Sequence, residues 1–171
     1  NGGFISAHTV GSGGGTYKYI GDTVNTTTTN YAPYYTWFDY SWSRMLYTSS
    51  DLPAGANSIS EIAFKVYSMS NTTGVNNQEV YMKVVSDATI TNQNYVDPIT
   101  DGATLVWTGN IPGNLPQNYW VNIQLNAPFL VPGGNGVMIY WYNKDGSYEG
   151  STCEWYANSS NSTMAVYNYS D

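Results

Sequence analysis

One histidine, one cysteine and five cationic side chains are all that 171 residues carry of those types, and each shortage closes off a class of chemistry. A histidine metal site fails on number, and a Ser-His-Asp or Cys-His device would depend wholly on His8, with no nucleophile-elbow pattern around Cys153 or any serine. Cys153 has no partner for an internal disulfide or a thiolate metal site and is expected to be a small buried apolar residue. Lys18, Arg44, Lys65, Lys83 and Lys144 are scattered singly against 12 Asp and Glu, for a net charge of −7. Without clustered cations, neither nucleic acid nor an anionic membrane surface is an expected partner. No apolar run approaches the ~20 residues of a helical membrane span. Gly11-Ser12-Gly13-Gly14-Gly15 neither follows a strongly apolar strand nor opens a helix, so it is not a dinucleotide fingerprint.

What is present is apolar and aromatic. Hydrophobic residues make up 42% of the chain, enough for one real core. The 17 Tyr and 6 Trp outnumber the 4 Phe, so most rings come with a polar handle suited to half-wet surfaces as well as to strands. Period-two alternation recurs. Val121, Ile123 and Leu125 alternate with Asn122 and Gln124; Val80, Met82 and Val84 alternate likewise; Ile62 to Val66, Thr104 to Trp107 and Thr163 to Tyr169 follow the same rule. Val137 to Tyr142 is apolar on both faces, as a covered central strand would be. Turn clusters separate these runs at 52–55, 71–74, 111–114, 131–136 and 143–146. No helical pattern intervenes. The expected fold is all-β: an antiparallel β-sandwich, jelly-roll-like, of eight to ten strands, with a closed barrel as the alternative.

The expected organisation is a strand-like segment and Gly-rich hinge over 1–19, then a sandwich domain over 20–171. Phe4 to Val10 is open to three readings: first strand of the sandwich, end of a preceding domain, or a strand that pairs with a neighbouring molecule. Thr26 to Thr29 is expected to be a loop or edge. The start at Asn1-Gly2-Gly3 fits a processed or excised segment. Low charge with abundant Asn, Thr, Ser, Gly and Tyr points to an extracellular, secreted or surface-attached protein. Asn-X-Ser/Thr sequons begin at Asn25, Asn71, Asn158, Asn161 and Asn168.

Seven aromatics fall within Tyr31 to Ser43, and a second cluster holds Trp141, Tyr142, Tyr148, Trp155 and Tyr156. Aromatic faces stack on the C–H faces of sugars while amides and hydroxyls serve their OH groups, so aromatics with uncharged polars fit a neutral polymer. The expected ligand-binding residues are Tyr34, Tyr35, Trp37, Tyr40, Trp42, Trp141, Tyr148, Trp155 and Tyr156. Asn143, Asp145 and Glu149 could hold a structural calcium ion, since oxygen ligands from one loop suit it; the spacing is not that of an EF-hand. Asp39, Asp145, Glu149 and Glu154 are the carboxylates nearest the aromatic segments, which keeps paired-carboxylate glycoside hydrolysis in view.

Several segments together resemble a module repeated in large secreted and cell-surface proteins of the Bacteroidetes. They are Tyr40 to Tyr47, Ile59 to Phe64, Gly102 to Gly109, Trp120 to Phe129, Gly133-Gly134-Asn135 and Asp145-Gly146-Ser147-Tyr148, and they cover about residues 20–171 in order. The resemblance implies a β-sandwich accessory domain, set beside proteases, glycosidases, fibronectin-type repeats or a surface sorting tail. It supplies no catalytic residues.

The expected function is therefore a non-catalytic extracellular binding module recognising a polysaccharide or cell-surface glycan through exposed Tyr and Trp. The alternative is a structural repeat of an adhesin, or a filament subunit that meets copies of itself through its N-terminal strand. A small glycosidase or lyase using Glu149 or Glu154 is the third reading. No cofactor is expected beyond the possible calcium.

Overall fold

Strands form wherever the alternation of two is written. A computed structural model describes residues 3–7, 16–20, 26–70, 73–148, 153–158 and 162–171. Among them are eleven strands and no helix: β1 (Gly3–Ala7), β2 (Thr16–Ile20), β3 (Thr26–Thr29), β4 (Tyr40–Tyr47), β5 (Ser58–Met69), β6 (Val75–Val85), β7 (Thr104–Ile111), β8 (Trp120–Leu130), β9 (Gly136–Asn143), β10 (Cys153–Asn158) and β11 (Ala165–Ser170). They make two antiparallel sheets packed as a sandwich rather than one closed barrel. The short strands β2 and β3 come from segments whose sequence is Gly-flanked or purely polar; β3 takes the sheet edge.

One sheet runs β11-β4-β9-β6-β7, with the doubly apolar β9 at its centre between β4 and β6. The other is built on the long β5. Along one side of β5, β8 pairs with Ser58 to Lys65. Along the other, β1 takes Ile59 to Phe64 and β10 takes Val66 to Met69, with β2 and β3 outside them. The N-terminal segment 3–7 thus lies between β2 and β5 of its own chain, and the division drawn at 19/20 passes through β2. His8 and the glycine run lie outside the described residues.

Between the sheets, Val80 and Met82 of β6 and Ile139 and Trp141 of β9 meet Ile62, Phe64 and Val66 of β5, Val121, Ile123 and Leu125 of β8, and Trp155 of β10. Trp141 is the hub, with Phe64 edge-on at 5.6 Å and Tyr34 tilted at the same distance. Its indole N–H donates to Gln78 Oε1 at 2.8 Å, and Gln78 Nε2 donates to Asn143 Oδ1. These buried polar groups are therefore satisfied inside the core.

A second apolar cluster lies on the outer face of the five-stranded sheet, where Trp42, Leu46, Tyr81, Val85, Met138, Tyr140 and Val166 pack with Ile90. Residues 86–103, between β6 and β7, cross this face and cover part of it. Polar contacts pin them down. Asp101 meets Lys83 at 3.1 Å and accepts from the Tyr140 hydroxyl; Arg44 donates to Asn92 O; Ile90 N donates to Thr163 O at 2.8 Å.

Candidate functional site: a half-covered sheet face

Alternation along β4 sends Ser41, Ser43, Met45 and Tyr47 inward and Tyr40, Trp42, Arg44 and Leu46 outward. Strand register then fixes their outer neighbours. Trp42 stands between Tyr142 of β9 and Asn168 of β11; Tyr40 is paired with Ser170; Arg44 is paired with Tyr140 and Val166. The 86–103 crossing covers the Arg44 and Leu46 end and stops at Tyr95. The other end stays open as a groove of about 480 Å³, lined by Tyr40, Trp42, Tyr95, Tyr142, Lys144 and Asn168, with Tyr169 and Ser170 at its β11 side.

Tyr95 forms the wall. Its ring lies 5.4 Å from Trp42, and its hydroxyl is 2.7 Å from that of Tyr142. Trp42 is the floor: only 3% of it is exposed, the Arg44 guanidinium lies 5.7 Å from its ring centroid, and its Nε1 is enclosed without a partner among the described residues. Lys144 closes the far side, its ammonium 5.8 Å over the Tyr142 ring and 2.7 Å from a Glu79 carboxylate oxygen. The Tyr81 hydroxyl donates to the same carboxylate at 2.7 Å. Burial, reinforced by the Glu79 carboxylate, pushes the Tyr81 hydroxyl up to about 12. Burial and the bond to Tyr95 hold Tyr142 well above the ordinary tyrosine value. Both are therefore neutral hydrogen-bonding groups at physiological pH.

Beside the groove, Gly146 turns the chain at φ +68° and its N–H donates to Asp39 O at 3.0 Å. A Cβ at that position would meet the Tyr40 hydroxyl at 3.3 Å, so the turn and the Tyr40 ring are fitted to each other. The same turn sets Tyr148 edge-on to Trp37 at 6.1 Å, both exposed.

A second aromatic assembly runs along the opposite face of β11. Tyr31 stacks on Tyr167 at 4.2 Å and Phe38 stacks on Tyr169 at 4.1 Å, while Tyr35 is wedged edge-on against Tyr31 and Tyr169. Rings at these separations each cover one face of the partner ring, while Tyr167 and Tyr169 stay exposed.

The sequence-expected binding residues therefore separate. Tyr40 and Trp42 meet in the groove, with Trp37 and Tyr148 beside it. Tyr35 belongs to the ladder. Tyr156 lies on the outer face of the other sheet, with Lys65 Nζ 4.9 Å from its ring centroid and its hydroxyl on Asn118 Oδ1 at 3.1 Å. Tyr34, Trp141 and Trp155 are corrected: all are at most 1% exposed in the inter-sheet core, where no surface ligand reaches them. Several groove residues were not among the expected binding residues: Tyr95, Lys144, Asn168, Tyr169 and Ser170, with Tyr142 read only as a member of the second aromatic cluster. Tyr95 follows the polar run Thr91-Asn92-Gln93-Asn94, and only the fold carries it to Trp42.

For calcium, Asn143 is buried and its Oδ1 already accepts from Gln78 Nε2 and from Asp145 N, which fills an amide oxygen. Asp145 Oδ1 accepts from Asn76 N at 3.0 Å, and Oδ2 is enclosed without a partner among the described residues. Glu149 lies outside them. Among the described residues no three His, Cys, Asp or Glu side chains converge.

In comparison with known proteins, the chain matches no family model, no curated protein and no solved structure.

Proposed function

We propose that the chain is a non-catalytic, extracellular binding module that holds a carbohydrate chain in the groove on the outer face of its five-stranded sheet. One observation carries the proposal: the 86–103 crossing stops short, so exposed Tyr40 and half-buried Tyr142 on adjacent strands remain as an aromatic floor above the enclosed Trp42, walled by Tyr95 and rimmed by the Asn168 amide. Concave apolar surfaces with a few convergent polar groups are where ligands bind. Aromatic faces with neutral amides and hydroxyls match the amphipathic faces of sugars. The described lining holds no carboxylate, which favours binding over glycoside hydrolysis. The likeness of the sequence to accessory modules of Bacteroidetes surface proteins points the same way.

Affinity electrophoresis through gels containing soluble polysaccharides tests the proposal. Retention by at least one polymer, weakened in Tyr40→Ala and Tyr95→Ala proteins of unchanged circular dichroism, is the expected result. Equal mobility of wild type and both variants in every gel would refute it.

A further inference from the structure

We infer that the groove takes an uncharged glycan, and that Glu79 enforces this by holding Lys144; the inference rests on the glycan reading above. Lys144 is the one cation among the described groove-lining residues. Its ammonium lies 2.7 Å from the Glu79 carboxylate and over the Tyr142 ring, so an acidic sugar would have to displace an existing anion to reach it. The cations nearest by register are committed as well. Arg44 is buried, with its guanidinium 5.7 Å from the Trp42 ring centroid, and donates to Asn92 O, and Lys83 meets Asp101. Lys65 sits on the other sheet between Trp120 and Tyr156.

Against this stands a net charge of −7, whose field reaches about 8 Å at physiological ionic strength. A polyanion thus meets repulsion on approach and, among the described lining residues, only a cation already paired to Glu79 on arrival. Neutral hydroxyls meet a better set of partners. Asn168 Oδ1 already accepts from Tyr169 N at 2.8 Å, which orients the amide and leaves its NH₂ to donate. Ser170 stands on the same face. The hydroxyl pair of Tyr95 and Tyr142 supplies both a donor and an acceptor.

The experiment runs wild type and Glu79→Gln through gels containing neutral polymers (xylan, galactomannan, hydroxyethylcellulose) and acidic ones (alginate, polygalacturonate, chondroitin sulfate), at low and high salt. Wild type is expected to be retained by a neutral gel equally at both salts, and to pass the acidic gels freely. Glu79→Gln releases Lys144 and is expected to raise retention on an acidic gel by about threefold at low salt, the scale of one partly exposed ion pair, and to lose that gain at high salt. Wild-type retention by an acidic gel would overturn this inference while leaving the glycan reading intact. Retention by no gel would overturn both. A folded Glu79→Gln protein with no gain would remove Glu79 from the account, and the wild-type comparison decides the selectivity even where that variant folds poorly.

Discussion

The hydroxyls of Tyr95 and Tyr142 lie 2.7 Å apart although the residues are 47 positions apart in sequence. Tyr142 is fixed by the central strand β9, whereas Tyr95 sits on an irregular crossing and is half exposed. The pair therefore ties an irregular crossing to the central strand of the sheet, at the wall of the groove.

Removal of the Tyr95 ring should cost binding and little stability. Tyr95→Ala is expected to weaken retention on the bound polysaccharide on the order of tenfold, the scale of one aromatic contact, with a Tm shift of no more than about 2 °C, as for an exposed side chain. Tyr95→Phe keeps the ring and is expected to retain most of the affinity. A Tyr95→Ala protein that binds as wild type does would show that the wall is not used.

Asp101 ties the crossing to the sheet, and its pH dependence follows from its neighbours. Burial raises its pKa, but the hydrogen bond from Tyr140 and the Lys83 ammonium outweigh this and leave it below the ordinary value. A carboxyl depressed in the folded state adds stability above its unfolded pKa, about 3.9, and that stability is lost as pH falls through the folded value. Since Asp101 is partly exposed, the contribution is small, below about 1 kcal/mol. Thermal melts of Asp101→Asn should be lower than wild type at neutral pH, with the two curves converging below about pH 4. A constant gap down to acid pH would contradict this assignment.

The sandwich was legible in the sequence because half-buried strands write their burial at every second residue. Val121, Ile123 and Leu125 are buried and Asn122 and Gln124 exposed, as the alternation requires. The site was less legible, and β9 shows why. Val137 to Tyr142 is apolar at every position, so its pattern cannot say that Trp141 faces the core while Tyr142 faces the groove; only pairing with Trp42 and Ser43 of β4 does so. The cluster around Tyr34 hides a similar split, since that ring turns inward against Trp155 while Tyr35 turns to the ladder. Tyr95 had no local signal, because its role comes from a covering segment whose sequence is polar.

Gln78 is the least replaceable polar side chain of the core. It is wholly buried, accepts from Trp141 and donates to Asn143 and to Asn76 O. Gln78→Ala would leave the Trp141 indole N–H without its partner and opens space beside it. Urea unfolding should show a loss of roughly 2–4 kcal/mol, from an unpaired buried donor plus a cavity. Trp37→Ala, in an exposed loop, is expected to change stability by less than about 0.5 kcal/mol. Comparable losses for the two would contradict the separation of core from surface aromatics.

The buried tyrosines should set the alkaline limit of the fold. Tyr34, Tyr47, Tyr140 and Tyr142 are all raised well above the ordinary value, chiefly by burial, and Tyr81 to about 12. A tyrosine raised in the folded state adds stability that is fully present below its unfolded pKa, about 10, and declines as pH rises through the folded value. Above about pH 10 the unfolded chain can release protons that the folded chain retains, so each of these side chains pulls toward unfolding. Tyrosinate absorbance should accordingly rise in two stages, the later one coinciding with loss of near-UV circular dichroism, whereas in concentrated urea the titration should collapse to a single stage near 10. Tyr142→Phe removes one of these groups along with its bond to Tyr95, so its alkaline midpoint should move upward even as its neutral-pH Tm falls slightly. Ionisation of all 17 tyrosines in one stage with the dichroism intact would be incompatible with this packing.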